Sequence, residues 1–536
     1  MPSKLKTSLA VVASATSLYL ALEKLSKYDL KWNGKFLLLK TIFITLLKGG
    51  LRKIWRLIDK LFLSSIMYSK EQLFRRPPSS LEDVRKEWLS HVLKKNEVLP
   101  AKVEIESIEI VPINTGQTGH CGTIKLSYAN EHLACPETMI IKMSRQDFAG
   151  MILNIVIGLY RECFVYRDIL SSMRNEIPTC EAYYFCVSDW DRSFILLLED
   201  ASKGEDQDLC ITSASTIGSH YCDTEVLNKE YRRLYWGQPP PSHEHAFPAV
   251  IDTSAFESTT KAMTLAVESI AAMHAKHWCK DDLLSSLTDL DSFAVGLALL
   301  ESDWVKTKKK ARSGSYEGTS PWRGAQNPQE FEQTLYDTVF RPMQYVAKMK
   351  GVNNWETSWS SNVNATDWVR FHKQMGFSRI HGDFHTENIF FRTWGDKAGK
   401  QQKSKNDILI LDWQICNVGI PIKDVAQILC IGGLDLHGTR LKEEQIVRAW
   451  WRALIKNGVK ETEYPFSKAW AQYKYFSAMC VAVLLMLGNT LDFFSDDHVY
   501  YMHFVDKFQD IVEKHGHPTD TFLEMMETCE KIDDMK

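Results

Sequence analysis

His381-Gly382-Asp383-Phe384-His385-Thr386-Glu387-Asn388 is the stretch of this sequence best equipped for chemistry, with a carboxylate and an amide five residues apart. That pairing suits phosphoryl transfer. One carboxylate accepts or orients the proton of an attacking hydroxyl, and an amide oxygen one loop-turn away holds a magnesium ion on the phosphates. The same residues also fit an exposed helix start capped by Asp383. A second stretch bears on the choice. Ile408-Leu409-Ile410-Leu411 runs into Asp412-Trp413-Gln414, which places Asp412 twenty-nine residues past Asp383. A buried strand delivering a carboxylate at its end supplies an oxygen ligand of the kind hard cations take. An Asp closing a strand is common by itself; together the two stretches point to one metal-assisted site. Asp424-Val425-Ala426 then opens a helix, and Asp424 reads as a cap and brace for the loop rather than a substrate ligand.

These groups need elements to hold them. Ser80 with Asp83 resembles a capping arrangement and predicts a helix running to about Lys95. Val103–Val111, Ile124–Tyr128 and Met139–Met143 read as strands, and Phe194–Leu198 as a short buried strand ended by Glu199-Asp200. A helix is predicted over Ile155–Met173 and another over Ser258–Trp278. Residues 203–258, with Pro239-Pro240-Pro241, read as irregular. After His381 the pattern is loop, strand, loop, then helices to the end, with no internal repeat. Lys142 is a lone charge in an apolar strand, so it needs a partner or a phosphate, or else an edge facing water.

The chain has 536 residues, 45% apolar and 24% charged, the balance of a globular protein. Its net charge of −3 gives no global reason to expect nucleic acid. The distribution says more. Residues 1–60 hold twelve Lys/Arg against three Asp/Glu, a net +9 that leaves −12 for the rest. A basic head on an acidic body suits an anionic membrane surface. The uncharged run Thr7–Leu22 is close to the length of a membrane span. Between Lys35 and Phe62, Leu51, Ile54, Trp55, Ile58, Leu61 and Phe62 share one helical face, with Arg52, Lys53, Arg56 and Lys60 off it. Packing of these helices on the rest of the chain is the competing reading. Twelve scattered Cys without a C-x-x-C pair read as buried thiols in a reducing compartment.

On these motifs the sequence resembles the aminoglycoside phosphotransferase/choline kinase-like superfamily, and within it the ecdysteroid-kinase-like (CHK kinase-like) branch. His381-Gly382-Asp383 with Asn388 and Leu411-Asp412-Trp413-Gln414 followed by Asp424-Val425-Ala426 carry the resemblance. Leu196-Leu197-Leu198-Glu199-Asp200 and Ala272-Met273-His274-Ala275 extend it, so that it covers about residues 80 to 520. It implies a two-lobed, protein-kinase-like α+β fold with a small β-rich N-lobe and a large helical C-lobe, here behind an N-terminal helical extension. The expected divisions are 1–78 (a basic, apolar extension and candidate membrane anchor), 79–200 and 201–536.

The resemblance also implies roles. Asp383 is the catalytic base, Asn388 and Asp412 hold Mg2+, and His381 supports the loop. Lys142 reaches the ATP phosphates and Glu162 pairs with it. The backbone of Leu198, Glu199 and Asp200 meets the adenine as a hinge. Gly116, Gly119 and Gly122 depart from the G-x-G-x-x-G spacing of protein kinases, which leaves the phosphate contacts of Gly116 and Gly119 open. His274 reads as structural. Trp450, Trp451, Trp470, Tyr473 and Tyr475 fall where the superfamily builds acceptor pockets, and their spacing fits helix packing equally. The implied activity is an ATP- and Mg2+-dependent kinase phosphorylating a hydroxyl of a sterol-, choline- or hydroxy-acid-like small molecule; the charge and apolar pattern of residues 1–66, apart from the resemblance, adds the expectation of a cytoplasmic kinase with this segment as a candidate membrane attachment. The alternative is a catalytically silent kinase-fold binding protein tethered to a membrane.

Overall fold

The computed structural model describes residues 77–113, 119–129, 135–145, 158–188, 192–200, 209–213, 259–283, 328–348, 365–385, 388–394, 408–430, 443–490 and 498–534. The expectations for the N-terminal extension and for Gly116 lie outside them. The chain divides into two compact units, Met1–Ser172 with Cys180–Gln207, and Met173–Thr179 with Asp208–Lys536.

The first unit begins with a correction. Ser80 is extended and makes no side-chain cap bond; Leu81–Asp83 is a 3-10 turn, and the helix α1 runs Lys86–Lys95. Ser79 donates to Asp83 Oδ2 at 2.6 Å within this turn, and the extended Val84 and Arg85 separate it from the helix. Trp88, Leu89, Val92 and Leu93 put one face of α1 in the core. Strands β1 (Ile105–Ile113), β2 (Gly119–Tyr128) and β3 (Thr138–Ser144) follow. Helix α2 (Arg161–Phe164) continues as a π turn over Val165–Ile169 and a 3-10 turn over Leu170–Met173, so the expected helix is irregular. Strands β4 (Ala182–Val187) and β5 (Phe194–Glu199) complete an antiparallel sheet in the order β1-β2-β3-β5-β4. The sequence reading missed β4, whose six residues are all half-buried and show no alternation. In β3 the period of two is clean: Met139, Ile141 and Met143 are buried toward α1, while Ile140 and Lys142 face the other side.

The second unit is helical with short strands inserted. Its elements are β6 (Leu209–Ser213), α3 (Thr259–Lys276), α4 (Pro328–Lys348), α5 (Ala365–Met375), β7 (Ser378–Ile380), β8 (Ile389–Trp394), β9 (Ile408–Ile410), β10 (Asn417–Gly419), α6 (Ile422–Cys430), α7 (Glu443–Lys456), α8 (Phe466–Thr490), α9 (His498–His515) and α10 (Pro518–Asp534). Strand β6 corrects the irregular reading of 203–258, since it pairs with β8, and β8 pairs with β9. Strands β7 and β10 make a two-stranded ribbon. Both small sheets position the site: β7 ends at Ile380, just before the His381 loop, and β8 and β9 flank Asn388 and Asp412. Helix α6 is buried at Ile422, Asp424, Val425, Ala426, Ile428, Leu429 and Cys430, so it forms the floor under that loop. The architecture is the expected mixed α+β one, with a small antiparallel sheet in the N-terminal unit and a helical C-terminal region. Among the described residues, no helix is long and apolar enough to cross a membrane.

Candidate active site

The loop after β7 is held almost entirely through its backbone. Asp424 Oδ2 accepts the His381 N–H at 2.7 Å and Asp424 Oδ1 the Gly382 N–H at 3.0 Å. One helical turn on, Gln427 Oε1 accepts the Phe384 N–H at 3.2 Å and Gln427 Nε2 donates to the Gly382 carbonyl at 2.8 Å. Two side chains of α6, three residues apart and so on one face, thus fix the chain on both sides of Asp383. Gly382 has φ +83°, and a Cβ there would lie 2.5 Å from the Ile415 carbonyl oxygen, so only glycine fits. Asp424 is wholly buried and also meets His274 Nε2 at 3.0 Å. The other nitrogen of His274, Nδ1, accepts from the Trp450 indole N–H at 3.0 Å. An indole N–H only donates, so Nδ1 is the acceptor and the Nε2 proton points at Asp424. His274 is therefore a brace for Asp424, as its apolar helix setting suggested.

The loop is then tied to β9. His381 Nε2 donates to the Leu411 carbonyl at 2.9 Å, and the Leu411 N–H donates to the Asn388 carbonyl at 2.9 Å. Both backbone groups of Leu411 belong to the loop, so the next residue, Asp412, is set relative to Asp383 and Asn388. Asp412 has φ +61° and ψ +62°, a left-handed conformation for a residue with a side chain. Such a conformation costs on the order of 1 kcal/mol and persists only where the surroundings over-determine it.

Asn388 Nδ2 donates to the Asp383 carbonyl at 2.9 Å and to Asp383 Oδ2 at 3.3 Å. With its nitrogen turned to Asp383, and also 3.2 Å from His385 Nε2, Asn388 offers Oδ1 as the acceptor for a ligand. Asp383 Oδ1 lies 3.5 Å from His385 Nε2. Burial drives the Asp383 pKa up, but His385, His381 and Asn388 outweigh that and hold the carboxyl below its usual range. Asp383 is thus ionised and able to take a proton. Burial pulls the pKa of His381 down, and the Asp383 N–H donates to its Nδ1 at 3.3 Å, so the ring is a neutral structural donor. Thr386 and Glu387 lie outside the described residues.

In the first unit, Lys142 Nζ reaches Glu162 Oε1 at 2.9 Å and Oε2 at 3.0 Å. Glu162 is 1% exposed and Lys142 19%, so the lysine is a partly open cation on a buried anchor. On β5, Leu198 pairs with Ile140 and Ala182, and the Glu199 N–H donates to the Glu181 carbonyl at 2.8 Å. The sheet occupies these strand positions, and Asp200, itself buried, is the first residue beyond them. Gly119 opens β2, where a Cβ would lie 3.0 Å from the Met143 carbonyl oxygen. It lets β2 approach β3 closely.

Residues 257–514 match the family model DUF1679, described as "Uncharacterized oxidoreductase dhs-27". The match takes in Asp383, Asn388, Asp412 and Asp424. The chain matches that model over a little under half of its length. Among solved structures it is similar to a choline kinase from Cryptosporidium parvum Iowa II, at 10% identity and TM-score 0.38, over 82% of this chain and 99% of that one. It is similar to an ethanolamine kinase from Plasmodium vivax, at 10% identity and TM-score 0.40, over 85% and 95%. A choline/ethanolamine kinase family protein from Mesorhizobium loti gives 10% identity and TM-score 0.34, over 82% and 98%. Similarities of this size bear no argument about activity. No curated protein matches the chain.

The donor set of Asn388 and Asp412 is an amide oxygen and a carboxylate, which fits a hard cation whose remaining ligands are phosphate oxygens and water. No cluster of three or more His, Cys, Asp or Glu with metal-binding geometry occurs among the described residues. Trp450, Tyr473 and Tyr475 are core residues, each 0% exposed; Trp450 serves His274 and Tyr475 donates to the Thr338 carbonyl at 2.6 Å. Sequence reasoning missed Gln427 and Trp450 as loop supports. Gln427 stands three residues after Asp424, a spacing that would have shown it.

Proposed function

We propose that this chain is an ATP- and Mg2+-dependent phosphotransferase acting on a hydroxyl of a small molecule. The observation that supports it most is the pair of ties on Leu411, which join the loop of Asp383 and Asn388 to the residue next to Asp412. In this reading Asp383 accepts the proton as the acceptor oxygen bonds to the γ-phosphorus. The bond from that phosphorus to the bridging oxygen breaks, and ADP leaves. Lys142, steered by Glu162, neutralises phosphate charge. Asn388 Oδ1 and Asp412 would hold Mg2+, which when bound offsets charge on the phosphate oxygens. Within the hinge read at Leu198, Glu199 and Asp200, the adenine edge meets the backbone at Asp200, since the Glu199 N–H is already bonded within the sheet.

The test is turnover of Mg·ATP against a panel of sterols, amino alcohols and hydroxy acids, read as a mass gain of one phosphate. The oxidoreductase in the matched model's description gives a contrast. The same panel with NADPH should show no nicotinamide oxidation; reduction of a panel member without phosphate gain would overturn the proposal, and binding without either change would favour the silent binding protein. The localisation reading is cytoplasmic, with residues 1–66 on an anionic membrane surface. Its support is the net +9 of residues 1–60 and the apolar face ending at Phe62. Fractionation of cells carrying the full chain or one starting at Ser79 tests it, and equal release of both into detergent-free buffer would defeat it.

A further inference from the structure

Asp412 is one of four non-glycine residues with positive φ among the described residues. The chain on both its sides is held by one side chain, that of Thr179. The Thr179 hydroxyl donates to the Ile410 carbonyl at 2.9 Å, two residues before Asp412. It accepts the Trp413 indole N–H at 3.1 Å, one residue after. A hydroxyl has one proton to give and lone pairs to receive, so the two bonds coexist. The neighbouring Pro178 carbonyl accepts the Ile410 N–H at 2.9 Å, so the segment 178–179 is sewn to β9 by its backbone as well. Trp413 is fully buried and its indole reaches the Ile410 carbonyl at 3.2 Å, which closes the ring of contacts.

We propose that Thr179 is a positioning residue for Asp412, its hydroxyl clamping the left-handed turn that aims the Asp412 carboxylate at the cation. This rests on the reading of Asp412 as a magnesium ligand. The loop's hydrogen bonds to Leu411 lie before the turn, and after it the His381 ring packs on Trp413 with centroids 4.6 Å apart. The hydroxyl bridges to Trp413, after it. With the hydroxyl gone, the hydrogen-bonded bridge from the Ile410 carbonyl through Thr179 to the Trp413 indole is lost, and the indole keeps its longer contact to that carbonyl. A strained backbone then relaxes and the carboxylate turns away. Partners that orient a metal ligand in this way change metal affinity when lost.

The test uses the full chain with Thr179→Val, which keeps the shape and removes the hydroxyl, and Thr179→Ser, which keeps the hydroxyl. Without nucleotide, amide exchange over residues 409–416 should quicken in the Val variant, stay at the wild-type rate in the Ser variant, and leave β3 unchanged in both. In calorimetry, Mg·ATP affinity should fall about tenfold in the Val variant and hold in the Ser variant, with metal-free ATP affinity unchanged. Thr179→Cys, a weaker hydrogen-bonding group of similar size, should fall between them and stands in if the Val variant fails to fold. Wild-type exchange and affinity in the Val variant, or a Ser variant as impaired as Val, would overturn the clamp. A wild-type chain that does not bind Mg·ATP sinks the functional reading instead, and the exchange rates then decide the clamp by themselves.

Discussion

The two units hold their chemistry differently. In the first, the group proposed for the nucleotide phosphates is one long side chain, Lys142, anchored by one bidentate ion pair to Glu162. In the second, the groups proposed for the proton and the cation are short side chains. Their backbone is fixed by Asp424, Gln427 and the two ties on Leu411. A lysine is a flexible point charge that can follow a phosphate from an anchored stem. A proton acceptor and a metal ligand work only within a few tenths of an ångström, so the chain under them must be set before anything binds. Function and stability should therefore be separable in the first unit and entangled in the second.

The largest expected effect is on turnover. Asp383→Asn should lower kcat by about 10²–10⁴-fold while leaving Mg·ATP affinity within a few-fold, since the proton acceptor is lost and the cation ligands stay. Near-normal turnover of the purified variant would break the assignment. Next comes the separability of the first unit. Lys142→Met should impair turnover and also destabilise, on the order of 3 kcal/mol, because it strands a buried carboxylate. Adding Glu162→Gln should restore most of the melting temperature and none of the turnover. Recovery of both would show that another group reaches the phosphates.

These variants also mark what was legible in the sequence. Asp383, Asn388 and Asp412 stood out because their spacing is local: a loop of eight residues and a strand end. Lys142 stood out because a single charge interrupts an apolar strand. The start of α1 was misplaced because Ser80 and Asp83 belong to a 3-10 turn, and the helix begins only after the extended Val84 and Arg85. Strand β4 escaped because all six residues are half-buried and the alternation is lost. Trp450 was read as packing or an acceptor wall. Its bond to His274 joins residues 176 positions apart, which no local pattern reports.

Trp450 sharpens the second half of the comparison. Trp450→Phe keeps the ring and removes the N–H that sets the His274 orientation, a loss of about 1 kcal/mol in stability. If the network is a unit, kcat falls severalfold with Mg·ATP affinity unchanged, and the same change in a His274→Phe background adds little. Simple additivity of the two losses would mean ordinary packing.

The smallest effect concerns pH. His277 is half-buried, and its Nε2 has no hydrogen-bond partner among the described residues. Burial, with Arg379, Lys280 and Lys276 nearby, lowers its pKa from 6.5 to about 4. The unfolded chain therefore binds the extra proton between those values and the folded one does not, so stability falls as pH drops through that window and is unaffected above it. His277→Gln should melt closer to its neutral-pH temperature at about pH 5 than the wild type does. An unchanged pH dependence would place the acid sensitivity elsewhere.

The central claim is that Asp383, Asn388 and Asp412 form one metal-assisted phosphoryl-transfer centre. Calorimetric titration of Mg·ATP tests it most directly, without knowledge of the acceptor, when the wild type, Asp412→Ala and Asp383→Asn are compared. The account predicts that the wild type and Asp383→Asn bind alike, and that Asp412→Ala loses the magnesium-dependent part of the affinity. Unchanged Mg·ATP affinity in Asp412→Ala would contradict it.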